Sequence, residues 1–299
     1  MQTVGAIDID SQWATGDNNF IVDKSRFPDM KGMISDMHAR DIRVIFWATS
    51  MVDNDSSNFN ETIDQKAYIR DAVNDEPTLL KWWHGEGLLL DYFQDASKAW
   101  WETQLDAVLS LGLDGWKVDG TDPYVAEYLG PRSWNTTVGK SGGFVSLKEY
   151  QDQYYGHFFN YTRAYNGDDG LIWARPVDSY PIIHDHPKAD TSTEGISAYL
   201  TFSPKYVMFS GWVGDQDPTF DGLRDAMRNM IHSAWHNYTG FGSDTGGYRT
   251  GPGPLGRTGE LLLRWVRTPL PPLTPPPLRC ALAHTVLCTG FRERHDAAV

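Results

Sequence analysis

The sequence predicts an α/β fold of the (β/α)8 barrel type, because short β-prone apolar runs alternate along it with amphipathic helical segments. Its 299 residues, 40% of them hydrophobic and 13% aromatic, suffice for one large barrel or for two ordinary domains. Polar side chains recur where the apolar runs end, and the active site of such a barrel lies at the carboxyl ends of its strands. The pattern therefore predicts a barrel with a functional site on one rim.

The predicted elements follow one another in a regular order. The first strand is β-prone and ends in acids, and the helix after it places Met30, Met33, Ile34 and Met37 at helical spacing. Each later strand is a short apolar run, and an amphipathic helix separates most of these strands from the next. The predicted strands are Val4–Asp10, Arg43–Ala48, Asp114–Asp119, Gly170–Arg175, Tyr206–Phe209 and Thr239–Asp244. The predicted helices are Asp29–Arg40, Ala96–Leu111, Glu149–Asn166 and Phe220–His236.

The predicted barrel is incomplete. Only about six of the eight strands that a closed barrel needs can be recognised, and Val52–Leu90 is predicted to be a long connection with polar clusters and one short helix. An open sheet has exposed edges that pair with other chains, so we expect this chain to aggregate rather than to melt as a cooperative monomer.

The chain changes character after Val266. Prolines dominate residues 268–277, and proline removes a backbone donor and fixes φ, so neither a barrel helix nor a strand can form there. We therefore predict a partial barrel over residues 1–266. Residues 267–299 are predicted to be a foreign proline-rich tail, either disordered or read in a shifted frame.

Net charge limits the class of partner. With 39 acidic and 26 basic residues the formal charge is -13, which repels nucleic acids and anionic membrane surfaces. The sequence contains no run of 18 or more apolar residues, so no membrane insertion is predicted. A neutral small-molecule substrate fits this balance, and the oligomeric state is left open.

Five glycosylation sequons stand in the sequence, more than chance predicts. They hint at a secretory or extracellular protein, whereas coincidence in polar loops is the alternative. The chain as written begins without a signal peptide, so the localisation is left unknown. The sequons begin at Asn54, Asn60, Asn135, Asn160 and Asn237.

No metal or cofactor is predicted. Cys280 and Cys288 lie far from every motif, and they form neither a disulfide framework nor a catalytic pair with a histidine. The run His184-Asp185-His186 has ligand chemistry but no evident third ligand, so a solvated loop is favoured over a metal site.

Two stretches offer the carboxylates of a catalytic pair. Asp119 ends a strand-like run, and Asp215 follows Gly211-Trp212-Val213-Gly214 about a hundred residues later. Two such carboxylates suggest a glycosidase. Taken alone, Asp119 is equally well explained as a turn acid, since Asp-Gly often follows a strand. Asp217 is a rival of Asp215, either as proton donor or as the N-cap of the next helix.

Taken in order, these stretches resemble glycoside hydrolase family 31, the retaining α-glycosidases that include α-glucosidases, α-xylosidases and some α-galactosidases. The resemblance covers roughly residues 4 to 266. It is carried by Ala6-Ile7-Asp8-Ile9-Asp10, Arg26-Phe27-Pro28-Asp29, Asp91-Tyr92-Phe93, Trp100-Trp101, Asp114-Gly115-Trp116-Lys117-Val118-Asp119, Ala174-Arg175-Pro176, Gly211-Trp212-Val213-Gly214-Asp215 and Gly242-Ser243-Asp244-Thr245-Gly246-Gly247-Tyr248.

The resemblance implies roles for particular residues. Asp119 would be the nucleophile and Asp215 the general acid/base. At position 117 the lysine is similar to the branch of the family that includes α-xylosidases, whereas the α-glucosidase branch usually has an aromatic residue there. The resemblance therefore favours a substrate other than starch. The residues that would shape the sugar subsite are Asp8, Arg175, Trp212 and Asp244, with Trp82 or Trp83 near its wall.

Departures from the family pattern matter too. The family's β-sandwich, its first and last barrel strands, its C-terminal β-domains and its active-site histidine have no counterpart here, and His284 and His295 are not taken as that histidine. A catalytically inactive fragment, or a carbohydrate-binding or regulatory protein, is therefore the alternative to an active glycosidase. A member of the related α-galactosidase clan is disfavoured by Gly211-Trp212-Val213-Gly214-Asp215.

A retaining mechanism leads to expectations for the charge of the two carboxylates and for the residues around them. A cation, Lys117 or Arg175, is expected to keep Asp119 ionised, while a less solvated site raises the pKa of Asp215. Asp10 is expected to fix the loop beside Asp8. Among the tryptophans, Trp212 is expected to contact the sugar, and those inside strands are expected to be core. The latter are Trp47, Trp116 and Trp173.

Overall fold

The structure is a computed structural model. It describes residues 5–71, 76–77, 79–82, 85–119, 136–137, 147–175, 177–178, 200–201, 203–207, 210–249 and 257–267. The strands are β1 (Ala6–Ile9), β2 (Arg43–Ala48), β3 (Met51–Asp53), β4 (Arg70–Asp71), β5 (Leu80–Lys81), β6 (Glu86–Leu89), β7 (Gly115–Val118), β8 (Thr136–Thr137), β9 (Leu171–Trp173), β10 (Val177–Asp178), β11 (Leu200–Thr201), β12 (Gly211–Trp212) and β13 (Phe241–Gly242). The helices are α1 (Met30–His38), α2 (Phe59–Asp64), α3 (Asp95–Leu109), α4 (Leu147–Asn166), α5 (Phe220–Trp235) and α6 (Gly259–Val266).

Parallel strands form the centre of the fold. Strands β1, β2, β7 and β9 pair in that order, and a parallel bridge from Ala174 to Gly211 leads from β9 to the parallel pair β12 and β13. Helices α1, α3, α4 and α5 lie in sequence between these strands, which is the β/α alternation of a barrel. Within the described ranges no pairing joins β13 to β1.

Continuous burial explains why β2 and β7 are central. Every residue of β7 is buried, as is every residue of β2 after Arg43, because a strand covered on both faces can be apolar throughout. Gly115 begins β7 where β9 approaches most closely. A Cβ there would lie 1.6 Å from the carbonyl oxygen of Leu171, so only glycine permits this pairing.

The predicted helices and most of the predicted strands are confirmed; the strands are shorter than predicted, and the helix ends differ from the prediction by at most two residues. Three helices begin with a side-chain cap, in which Asp29, Thr219 and Thr258 accept from backbone amides in the first turn. The predicted N-cap role of Asp217 is wrong, because Thr219 caps α5. The α/β fold with a parallel sheet is confirmed, while the incompleteness of the barrel stays a prediction.

The predicted fifth strand, Tyr206–Phe209, is wrong in the part that the structure describes. Lys205–Val207 forms a 3-10 turn in which the amide of Val207 donates to the carbonyl of Pro204 at 3.1 Å. This turn buries Val207 and leaves Tyr206 59% exposed, and the strand forms at β12 instead. Apolar, β-prone residues predicted a strand here, but proline at the start favours a turn.

The connection between β2 and α3 holds more structure than the sequence predicts. Besides the predicted short helix, α2, it contains an antiparallel sheet in the order β3-β6-β5. This sheet places Trp82 near the strand end of β2, where its ring stacks on that of Trp47 at 6.4 Å.

Aromatic side chains fill the core beneath the rim. Trp13 packs on Phe46 with ring centroids 4.8 Å apart, and Phe20 packs edge-on against Trp101 and Trp116. Trp116 is fully buried, which confirms its prediction as a core residue. Among the described helices, none has the length and apolar character needed to cross a bilayer.

Candidate active site

The carboxyl ends of the parallel strands bring the charged residues together. Parallel strands end at one edge of a sheet, so residues that follow them in sequence become neighbours in space. The residues that the structure places at this rim are Asp8 and Asp10 at β1, Lys117 and Asp119 at β7, Arg175 after β9, Trp212 and Asp215 at β12, and Asp244 after β13.

Arg175 joins the two predicted catalytic carboxylates. Its Nη2 atom lies 3.1 Å from Oδ1 of Asp119 and 3.3 Å from Oδ1 of Asp215. The arginine side chain is only 3% exposed, and its guanidinium lies over the ring of Trp212, 4.9 Å from the centroid. The two carboxylates are thus separated by no more than the sum of two ion-pair distances.

Asp119 is held by the strand beside it. Its amide donates to the carbonyl oxygen of Ala48 at 2.9 Å, and its Oδ2 accepts from the indole nitrogen of Trp47 at 3.1 Å. Trp47 stacks on Trp82, whose indole nitrogen donates to Asp53 at 2.5 Å. The antiparallel sheet β3-β6-β5 therefore supports Trp47, the residue whose indole N–H donates to Asp119.

Lys117 is a buried cation surrounded by acids. Its Nζ lies 2.5 Å from Oδ2 of Asp10 and 3.7 Å from Oδ2 of Asp8, with the ring of Trp212 at 4.8 Å. Burial alone would lower the pKa of Lys117, but Asp10, Asp8 and Asp119 together raise it well above its ordinary value. Lys117 therefore stays charged, and Asp10 holds it in place.

Burial raises the pKa of three acids at the rim. Burial raises the pKa of Asp8 well above its usual range, although Lys117 opposes the shift, and both carboxyl oxygens accept no hydrogen bond within the described part of the chain. Burial raises the pKa of Asp244 to about 7. Loss of hydration also raises the pKa of Asp215, with Arg175 opposing and Asp119 adding to the shift.

The high pKa of Asp244 predicts a pH-dependent gain in stability for Asp244→Asn. An unfolded aspartate loses its proton near pH 4, whereas the folded one keeps it to about 7, so the free energy of unfolding falls between these values. Asparagine cannot ionise and escapes this loss. We expect the variant to be more stable than the parent chain by about 2–4 kcal/mol at pH 8, relative to any difference at pH 4.

Thermal melts at pH 4 and pH 8 measure this effect. Asp221→Asn is the matched control, since it makes the same substitution at a side chain that is 82% exposed. An equal stability change for Asp244→Asn at both pH values would contradict a raised pKa for this group.

The structure differs in detail from the expected sugar subsite. Trp212 is only 1% exposed and lies against Lys117 and Arg175, with its ring at the floor of the site, so its contact with sugar stays a prediction. Trp83 lies outside the described residues, and Trp82 is buried against Trp47. Asp217 is exposed and pairs with Arg249 at 3.4 Å.

Two residues at the site were missed by sequence reasoning. Trp47 is buried, as predicted for core, yet it also donates to Asp119. Tyr248 lies beside the segment that carries Asp215, because its amide donates to the carbonyl oxygen of Gln216 at 2.9 Å. Gly246 and Gly247, which precede it with φ of +92° and +87°, are the sequence signal of a tight turn that could have indicated this placement.

A metal site is not evident in what the structure describes. Its residues contain no group of three or more His, Cys, Asp or Glu side chains that could hold an ion. The His184-Asp185-His186 run lies outside the described residues.

Two carboxylates at the carboxyl ends of parallel strands are an arrangement that barrel glycoside hydrolases use. The model of the TIM-barrel domain of glycosyl hydrolases family 31 matches residues 3–270. The chain belongs to this family, and the family resemblance of its motifs is confirmed.

Curated relatives and solved structures agree with this assignment. A 1,3-alpha-isomaltosidase of Kribbella flavida is 26% identical over 252 residues, which cover 80% of this chain and 29% of the relative. The myogenesis-regulating glycosidase of Mus musculus is 26% identical over 147 residues, covering 49% of this chain and 20% of the relative. The chain thus spans less than a third of either relative.

Structural similarity extends over most of the chain. The crystal structure of an alpha-xylosidase of the same family from a soil metagenome, complexed with xylose, has a TM-score of 0.65 at 16% identity. The alignment covers 88% of this chain and 35% of that chain. At this identity the likeness establishes the fold alone.

Proposed function

We propose that this chain carries the catalytic site of a retaining α-glycosidase within residues 1–266, with Asp119 as nucleophile and Asp215 as general acid/base. The observation that carries the proposal is the shared arginine, whose Nη2 contacts both carboxylates at 3.1 Å and 3.3 Å. Retaining enzymes need their two carboxyl groups about 5–5.5 Å apart, and a single bridging nitrogen is compatible with that separation.

The environments of the two acids suit different roles. The guanidinium of Arg175 and the indole N–H of Trp47 stabilise a negative charge on Asp119, which a nucleophile needs. Asp215 has a raised pKa, and 36% of its side chain is exposed, so it can hold a proton and reach the leaving-group oxygen.

The proposed reaction has two displacements. Asp119 attacks the anomeric carbon while the Asp215 carboxyl donates its proton to the departing oxygen, which gives a β-linked glycosyl ester and the free alcohol. The Asp215 carboxylate then takes a proton from water, which attacks the same carbon and restores free Asp119. The net result is hydrolysis with retention of the α configuration.

Neutral α-glycosides are the proposed substrate class. Lys117 and Arg175 are both engaged by acids, so neither is left to neutralise an anionic sugar. Lys117 stands where the α-glucosidase branch has an aromatic residue, so we propose α-xylosides ahead of starch-type α-glucosides.

Proton NMR of the full chain with aryl α-xylosides and α-glucosides tests the proposal. We expect the α-anomer of the free sugar to appear first, with the β-anomer following only by mutarotation. A β-anomer formed first would rule out a retaining mechanism. Saturable sugar binding without turnover would favour a carbohydrate-binding protein instead.

A further inference from the structure

Two tyrosine hydroxyls of helix α4 donate to backbone carbonyls outside the helix. Tyr150 donates to the carbonyl oxygen of Leu90 at 2.9 Å, and Tyr154, one turn later, donates to that of Asp119 at 2.5 Å. The Tyr154 hydroxyl also lies 3.3 Å from the carbonyl oxygen of Ala48. Residues four apart lie on one face of a helix, so a single face of α4 contacts both the end of β7 and the connection between β2 and α3.

The Tyr154 hydroxyl donates to the backbone just beyond the last paired residue of β7. The pairing of β7 with β2 ends at Val118, opposite Ala48, and its pairing with β9 ends one residue earlier. Asp119 lies beyond both, and its amide donates to the carbonyl of Ala48. Tyr154 contacts these same two residues, so it ties α4 and the ends of β2 and β7 together at the carboxylate-bearing residue.

The Tyr154 ring is fixed and its hydroxyl stays neutral. It is fully buried, with the rings of Tyr155 at 4.8 Å and of Tyr92 and Phe158 at 5.5 Å. Burial raises the pKa of Tyr154 well above its usual value, so the hydroxyl is a neutral donor near pH 7.

We propose that Tyr154 is a positioning residue for the nucleophile, fixing the backbone from which the Asp119 carboxylate projects toward Arg175. The role rests on the proposed function of Asp119. Tyr154 itself touches no substrate. Its effect on catalysis is expected to be large for a distant hydroxyl, because a misplacement of about 1 Å at a reacting group can reduce the rate about 100-fold.

Tyr154→Phe, with Tyr150→Phe as matched control, tests the proposal. Each variant deletes one buried hydroxyl from the same helix face, so their melting temperatures should fall alike. We expect kcat to fall about 10- to 100-fold for Tyr154→Phe, with KM changed less than about threefold. For Tyr150→Phe, kcat should stay within about threefold of the parent chain. Equal kcat values for the two variants would overturn the proposal.

Hydrogen exchange supplies a readout that needs no turnover. The amide of Asp119 should exchange at least about 10-fold faster in Tyr154→Phe than in Tyr150→Phe, since its loop has lost an anchor. Unchanged protection of this amide would equally overturn the proposal. A parent chain without turnover would contradict the proposed function, while amide exchange would still decide the role of Tyr154.

A second variant covers the case in which Tyr154→Phe does not fold. 4-Aminophenylalanine at position 154 keeps the ring and a weaker hydrogen-bond donor. We expect exchange of the Asp119 amide and kcat to lie between those of the parent chain and of the phenylalanine variant. Values for this variant indistinguishable from those of the parent chain would overturn the proposal, because a weakened donor would then leave the backbone of Asp119 as well held as before.

Discussion

Asp119→Ala is expected to abolish hydrolysis of α-glycosides, with kcat/KM reduced on the order of 10⁴-fold or more. Removal of a nucleophile leaves only binding and the electrostatic contribution of the site, which supply a small part of the rate. The vacated space lies beside Arg175 and Trp47, two donors that remain to hold an anion there. Azide should therefore enter and replace the carboxylate as nucleophile.

The product of this rescue identifies the role of Asp119. Azide that attacks from the position of Asp119 produces a β-glycosyl azide from an α-glycoside in one displacement. Asp169→Ala is the control, because this 82% exposed acid pairs with Arg43 away from the rim and should leave activity unchanged. Full activity of Asp119→Ala, or an α-glycosyl azide from it, would exclude Asp119 as nucleophile.

Asp215→Ala is expected to show a loss that depends on the leaving group. Proton donation contributes about 10²–10⁴-fold when the departing alcohol is a poor leaving group, and little when it is a good one such as dinitrophenolate. The raised pKa of Asp215 means that it is protonated at low pH and loses its proton as the pH rises. The alkaline decline of kcat/KM should therefore be present in the parent chain and missing in the variant.

Measurements on a series of aryl α-glycosides from pH 4 to pH 9 check both effects. Asp217→Ala is the matched control, since Asp217 stands two residues away and pairs with Arg249 at the surface. If Asp217→Ala instead showed the dependence on the leaving group, the proton donor would be Asp217. With azide, Asp215→Ala should form an α-glycosyl azide, because the attack then falls on the glycosyl ester of Asp119.

Local signals explain which parts of the fold could be predicted. Strand β2 is predicted because a strand buried on both faces leaves an unbroken apolar run, and the helices are predicted because apolar residues recur every three to four positions. Strands of two or three residues, such as β3, β5 and β12, carry no such period. Their pairing is decided by neighbours far along the chain.

Some residues of the site could likewise be predicted from the sequence, and others could not. Asp119, Arg175 and Asp244 could be proposed from sequence because each follows a strand-like run or a recognisable motif. Trp47 was predicted as core, since burial in β2 does not reveal that its indole N–H faces Asp119. Tyr154 offered no signal, because its contact joins residues 35 positions apart across a helix and a strand end.

Gly115 sets how closely the strands that carry Asp119 and Arg175 approach each other. The carbonyl of Leu171 occupies the space of any side chain at this position, so substitution would push apart the strands that carry Asp119 and Arg175. Any substitution at position 115 is therefore expected to change this strand register. Two positions along the same strand, Lys117 contacts Asp8 and Asp10, so a neutral residue there would leave both acids without the cation that they pair with.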